Sequence, residues 1–163
     1  AELINNQGEV WSVDRSSRRA RKTLANSERL GTTCLKLLVA DANELLIKHP
    51  EWEDYFHRIL IDAPCSGLGT LSRHPDARWR VDKDNIKELV VLQSQLLKSL
   101  APLLKSGGKM LYSTCTIHPD ENSNQIKNFL KINVKFSLEY EKQIWPGDED
   151  NGDGFYIAVL NKF

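Results

Sequence analysis

Apolar residues fall along this chain in two rhythms. Short runs, EVWSVD at 9–14, CLKLLVA at 34–40, HRILIDA at 57–63 and KMLYST at 109–114, have the length and the branched or aromatic content of strands. Between them, 16–30, 42–48 and 84–104 favour helix. In the last of these Ile86, Leu89, Val90, Leu97 and Leu100 line one side. Gly31 sits where a left-handed helix stop would fall, Pro50 closes the second helix, and the SGG at 106–108 breaks the third. A fourth helix is expected from Pro119, with Asp120 and Glu121 at its positive end and Ile126, Phe129 and Leu130 as its apolar stripe. The tail, 134–140 and 155–160, reads as two strands joined by an acidic, glycine-rich loop at 147–154.

Strands separated by helices make a parallel sheet covered on both faces, and the unbroken Ile59-Leu60-Ile61 predicts a strand buried on both sides. Two final strands with no helix between them predict an antiparallel hairpin at the sheet edge. The expected fold is therefore α/β and Rossmann-like, mostly parallel with an antiparallel C-terminal edge hairpin. Ligands of such sheets bind beyond the carboxyl ends of the strands. Those ends hold Asp14, Asp41, Asp62 to Cys65, and Ser113 to Thr116. Three of the four carry an acid and two carry a cysteine.

Composition narrows the class without deciding it. A chain of 163 residues that is 40% hydrophobic and 27% charged can bury a single core and is too apolar for a disordered segment. No apolar run approaches the ~20 residues of a membrane span, and no basic-then-apolar leader is present. Three widely spaced cysteines without a CxxC pair argue against a disulfide framework and for a reducing, cytoplasmic setting. Acidic and basic residues balance at 22 each, so the molecule as a whole does not attract nucleic acid. Locally it is less even. Arg15, Arg18, Arg19, Arg21 and Lys22 form one basic cluster, which reads equally as a solvated helix face. Arg73, His74, Arg78 and Arg80 form another, just beyond a strand-end turn, and are the better candidates for contacting RNA phosphates.

The strand ends carry the chemistry. Asp14 can accept hydrogen bonds from both hydroxyls of a ribose, or cap the helix that follows; Asp41 can meet an adenine amino group, or act as a cap in its turn. In Asp62-Ala63-Pro64-Cys65-Ser66-Gly67 a carboxylate and a thiol project into the crevice. Pro64 stiffens the backbone between them, while Gly67 and Gly69 allow a tight turn and the close approach of a ligand. Ser113-Thr114-Cys115-Thr116 occupies the equivalent end of a later strand. A thiol attacks as thiolate, and the helix expected near Pro119 would favour that form of Cys115. Cys34, inside a strand, reads as core. A zinc site from Cys65, Cys115, His74 and His118 lacks close ligand pairs, so no metal is expected. A hydrolase pairing Cys115 with His118 sets the two residues three apart across a proline turn, a poor arrangement.

Two of these segments resemble a known family. DAPCSGLGT at 62–70 and YSTCT at 112–116 are similar to the two signature segments of the RNA cytosine-5 methyltransferases of the NOL/NOP/Sun superfamily. RHPDARW at 73–79 resembles its Sun (Fmu-like) branch, which methylates small-subunit ribosomal RNA. The similarity runs from residue 1 to about residue 160 and includes GDGFYIAVL near the end. The resemblance implies a class I methyltransferase sheet, S-adenosyl-L-methionine as cofactor and RNA as partner. It also implies Cys115 as the nucleophile adding to cytosine carbon 6, Cys65 assisting its release, and Asp62 hydrogen-bonding or protonating ring N3. Asp14, Asp41 and Asp62 match the positions that surround the cofactor.

There is one departure from the family pattern. The family's first strand and its glycine-rich cofactor turn would precede Ala1, and AELINN at 1–6 resembles the end of the helix after that turn. Residues 1–163 are thus expected to be a methyltransferase catalytic domain incomplete at its N-terminus, weakly active or inactive by itself. Its exposed strand edges would favour a dimer of the fragment. The competing expectation is an RNA-binding or assembly module that keeps the fold without binding cofactor.

Overall fold

Parallel pairing sets the frame of the molecule. The computed structural model describes residues 1–148 and 152–163, the side chain of Arg80 excepted. Strand β1 (Val10–Asp14) leads into helix α1 (Ser17–Arg29), which Ser16 caps by accepting the Arg19 N–H, and the chain returns as β2 (Leu35–Val39) beside β1. A 3-10 turn over Ala42–Glu44 and the single-turn helix α2 (Leu45–Lys48) follow, then β3 (Phe56–Asp62). The short helix α3 (Ala77–Arg80) precedes α4 (Lys83–Leu100), whose N-terminus is closed by a reciprocal capping box between Asp82 and Asn85. Strand β4 (Leu104–Thr114), helix α5 (Ser123–Ile132) and the hairpin β5 (Phe136–Ile144) and β6 (Phe155–Lys162) complete the chain.

The described strands form two sheets, β1-β2 and β3-β4-β6-β5. In the larger one β3 and β4 are parallel and β6 is antiparallel to both β4 and β5. It follows that β3, β4 and β5 run one way and β6 runs against them. The α/β class and the edge hairpin agree with the sequence expectation. An aromatic chain ties the sheets together: Trp11 of β1 meets Trp52 edge-on at 4.8 Å, and Trp52 meets Phe56 of β3 at 5.2 Å. The core continues through Ile61, Leu97, Leu104, Met110, Tyr112, Ile126 and Leu160, and free Cys34 is buried, as expected.

Three local expectations are corrected. The Ile59-Leu60-Ile61 run is not buried on both faces: Ile61 is 4% exposed, but Leu60 is 68% exposed. Among the described residues β3 has a ladder partner only in β4, and Leu60 stands on the face turned away from the core. The SGG at 106–108 does not precede β4 but lies inside it. Pairing jumps from Phe56–Leu104 to Arg58–Lys109, and the extra residues form a bulge with Gly107 at positive φ. Pro119 does not open the last helix. It lies in a turn, and α5 starts at Ser123 because the Glu121 side chain is drawn inward to donors described below. The loop at 147–154 falls partly outside the described residues.

Candidate active site

Strand register explains why the two cysteines meet. Asp62 is paired with Ser113 across the β3–β4 ladder, and the Ala63 N–H continues it by donating to the Ser113 carbonyl at 2.9 Å. Neighbouring parallel strands therefore end level, and the residues just beyond them, Cys65 and Cys115, emerge side by side. Their sulfurs are 3.4 Å apart in a hydrogen bond. Asp62 is exposed at the mouth of this pair and has no side-chain hydrogen bond among the described residues.

The thiols do not share their proton evenly. The hydrogen bond from Cys65 is the largest influence on Cys115 and lowers its pKa from 9.0 to about 7, against desolvation and the negative charges of Asp62 and Glu121. The same bond, with burial, pushes Cys65 far up. Cys115 is thus the thiol that ionises first, with Cys65 as its hydrogen-bond donor. The source of this activation differs from the expected one. It is a neighbouring thiol, not the dipole of a helix at Pro119. A direct consequence is measurable. Alkylation of Cys115 by iodoacetamide is expected to rise with pH through a midpoint near 7, since only the thiolate reacts and its fraction grows above the pKa. Cys65→Ala is expected to move that midpoint up toward the ordinary thiol range. An unchanged midpoint in the variant would count against Cys65 as the activating group.

Two glycines lock the surrounding loops. Gly67 adopts the left-handed conformation that the turn needs. Gly69 was expected to admit a ligand; what it admits is backbone. Its N–H donates to the Cys115 carbonyl at 3.0 Å, and its own carbonyl accepts from the Gly154 N–H at 2.8 Å. A Cβ on Gly69 would lie 2.2 Å from the Gly154 carbonyl oxygen and 2.8 Å from that of Cys115. The GDG segment at 152–154 therefore has a structural task beside Cys115.

The three acids of the predicted cofactor site sit where expected, and two are already engaged. Asp14 accepts from the Ser16 N–H at 2.7 Å and from Arg19 at 2.7 and 2.8 Å, and the Arg19 hydrogen bonds hold its carboxyl below its ordinary range. Asp41 accepts from the Asn43 N–H at 2.9 Å, the main reason its pKa is also lowered, and lies 3.5 Å from Arg15. The cap reading of Asp41 is therefore met. Arg15 and Arg19 are committed to these acids, which reduces the first basic cluster as an RNA surface. Asn43 Oδ1 is a buried acceptor with no hydrogen-bond partner among the described residues. The carboxylates Asp14 and Asp41 on the neighbouring ends of β1 and β2, with an unspent amide acceptor beside Asp41, suit a ligand bearing hydroxyls and an amino group. Asn43 had no distinctive sequence signal.

In the second basic cluster Arg73 pairs with Asp153 at 3.0 Å, while His74 and Arg78 are exposed; the Arg80 side chain lies outside the described residues. Among the described residues His118 does not bond to Cys115; its Nδ1 accepts from the Asp120 N–H instead, so that nitrogen is not paired with the thiol. Among the described residues no group of three or more His, Cys, Asp or Glu is placed to hold a metal. Sequence reasoning missed Gln93, Glu121 and Asn122, all buried against the cysteine loops. Gln93 could have been noticed, since a glutamine four residues from both Leu89 and Leu97 interrupts the apolar stripe of α4.

A Rossmann-like sheet with acids and paired thiols at its strand ends is the architecture of a methyltransferase fold, and comparison with known proteins gives the family. The chain belongs to the 16S rRNA methyltransferase RsmB/F family, whose model matches residues 1–161. It is 40% identical over 177 residues to a Synechocystis protein named "Probable ribosomal RNA small subunit methyltransferase B", covering 99% of this chain and 39% of that protein. It is 41% identical over 167 residues to ribosomal RNA small subunit methyltransferase B of Escherichia coli, covering 96% and 37%. The crystal structure of NSun6 from Pyrococcus horikoshii, solved with SFG, superposes with a TM-score of 0.83 at 28% identity, covering 99% of this chain and 43% of that one. The chain thus spans about two fifths of the length of these curated relatives. S-adenosylmethionine is the methyl donor of methyltransferases of this family.

Proposed function

We propose that this chain is the catalytic region of an S-adenosylmethionine-dependent methyltransferase that modifies carbon 5 of a cytosine in small-subunit ribosomal RNA, with Cys115 as nucleophile. The observation that carries the reading is the Cys65–Cys115 contact at 3.4 Å, in which Cys115 ionises first and Asp62 stands at the same strand end.

Carbon 5 of cytosine is too electron-poor to be methylated unaided. Addition of the Cys115 thiolate to carbon 6 makes it an enamine-like nucleophile. Asp62, free of other side-chain bonds among the described residues, meets ring N3 as a carboxylic acid and donates a hydrogen bond or its proton to that nitrogen as negative charge develops there. When bound, S-adenosylmethionine supplies an electrophilic methyl group from its sulfonium, and Asp14, Asp41 and Asp62 would hold it.

Release requires loss of the carbon 5 proton and then breakage of the bond from carbon 6 to Cys115. Two of the three effects that raise Cys65, the hydrogen bond to Cys115 and the charge of Cys115, vanish once Cys115 is bonded to carbon. Cys65 can then give up its own proton to water and stand as thiolate at the step that needs a base. It takes the proton, the electron pair left at carbon 5 re-forms the ring double bond, and Cys115 leaves as thiolate. Of the second basic cluster, the exposed His74 and Arg78 are the side chains open to RNA phosphates, while Arg73 is held by Asp153.

The test is product identity. Small-subunit ribosomal RNA lacking its modifications is incubated with labelled S-adenosylmethionine and a protein of the relatives' full length carrying this chain, then digested to nucleosides. Label in 5-methylcytidine is expected. Label in any other nucleoside would overturn the assignment of carbon 5.

A further inference from the structure

We propose that Glu121 and Asn122 are a positioning pair, each holding one of the two cysteine-bearing segments so that Cys65 and Cys115 stand in contact. This rests on the reading of Cys115 and Cys65 given above, but its test does not depend on methyl transfer.

The pair is adjacent in sequence and reaches in two directions. Glu121 is 0% exposed. Its Oε2 accepts from the Ser66 N–H at 2.9 Å and from Gln93 Nε2 at 3.0 Å, and its Oε1 accepts from the Ser66 hydroxyl. The same Gln93 amide also donates to the Pro64 carbonyl at 2.8 Å. Pro64 and Ser66 flank Cys65, so Glu121 and Gln93 grip the chain on both sides of that thiol. Asn122 does the same for the other. Its Oδ1 accepts from the Thr114 hydroxyl at 2.6 Å, and its Nδ2 donates to the Thr116 carbonyl at 2.9 Å and to Gln143 at 2.8 Å. Thr114 and Thr116 flank Cys115. The two grips are joined where the Ser66 and Thr116 hydroxyls meet at 2.8 Å.

The choice of a carboxylate argues for this task. Burying a charge is unfavourable unless its lone pairs are met, and an apolar side chain fills such a volume at least as stably. What an apolar side chain cannot do is accept from the Ser66 N–H, the Ser66 hydroxyl and the Gln93 amide at once. Glutamine cannot either, because its NH2 would face one of those donors.

The charge itself works against Cys115, and this separates the two possible roles of Glu121. The groups facing Cys115 are Cys65, Asp62 at the end of β3, and Glu121 in the turn before α5; both carboxylates raise its pKa, while Cys65 lowers it. If Glu121 acted through charge alone, Glu121→Gln would move the alkylation midpoint of Cys115 down. If it positions Cys65, the variant loosens the thiol contact and moves the midpoint up, by about one pH unit.

The experiment measures iodoacetamide reactivity of Cys115 against pH in the 163-residue chain, with capture of both thiols by phenylarsine oxide, which bridges two sulfurs only when they are close. Glu121→Gln is expected to raise the midpoint and weaken arsenical capture at least about tenfold. Glu121→Asp should partly restore both, and Glu121→Gln should add no upward shift in a Cys65→Ala background. Ser66→Ala, which removes one hydroxyl and leaves the N–H, should shift the midpoint the same way by less, and serves if Glu121→Gln does not fold. A midpoint that falls or stays in place, or undiminished arsenical capture, would overturn the proposal and leave the nucleophile assignment standing.

Discussion

Cys115→Ala is expected to abolish methyl transfer, with a fall in rate of at least about 10,000-fold, because the uncatalysed ring offers no route around the addition step. The loss should appear in kcat, with little change in S-adenosylmethionine affinity by calorimetry, since Asp14 and Asp41 lie on other strand ends and make no contact with the cysteine. Cys115→Ser should be nearly as inactive. A serine hydroxyl is far less acidic than a thiol, and the hydrogen bond from Cys65 that brings Cys115 to about 7 could not ionise it. Retained activity in either variant would contradict the covalent mechanism.

Cys65→Ala is expected to give the opposite kind of failure. Addition still proceeds, more slowly because Cys115 has lost the bond that lowers its pKa, but release stalls for want of a base at carbon 5. A protein–RNA adduct stable to denaturation should therefore accumulate with unmodified RNA and S-adenosylmethionine. The wild-type protein should show little. Denaturing gel electrophoresis with labelled RNA reads this directly, and the double variant Cys65→Ala, Cys115→Ala should form none. Absence of an adduct in Cys65→Ala, with turnover preserved, would remove Cys65 from the release step.

These predictions rest on features that differed in how openly the sequence carried them. The strand ends were legible because each is a short apolar run stopping at an acid or a cysteine, and parallel α/β packing gives those stops one meaning. The neighbourhood of Cys65 and Cys115 followed from that logic, yet the hydrogen bond between their sulfurs did not. It depends on the register in which Asp62 lies opposite Ser113, and an apolar run does not specify its register to one residue. Leu60 was misread for a related reason. An unbroken apolar triplet says nothing of what lies on its far face.

Glu121 shows a different limit. An acid following a proline before an apolar stripe looks like a solvated residue at a helix start, and local propensity supports that reading. Its burial is decided by Ser66, 55 residues away, and Gln93, 28 residues away, which supply donors no local pattern reveals. Gly69 and Gly154 were each visible as glycines in recognisable segments. That they serve each other, backbone against backbone, became clear only when the loops after β3 and before β6 were seen to touch.

The central claim, that Cys115 attacks the base, is tested most directly with RNA containing 5-fluorocytidine. Fluorine at carbon 5 cannot leave as a proton does, so the enzyme should stall after methyl transfer with the base still bonded to its nucleophile. Protease digestion and mass spectrometry then locate the bond. The account predicts a methylated fluorocytidine adduct on the peptide carrying Cys115. An adduct on Cys65, or turnover of the fluorinated RNA without an adduct, would contradict it.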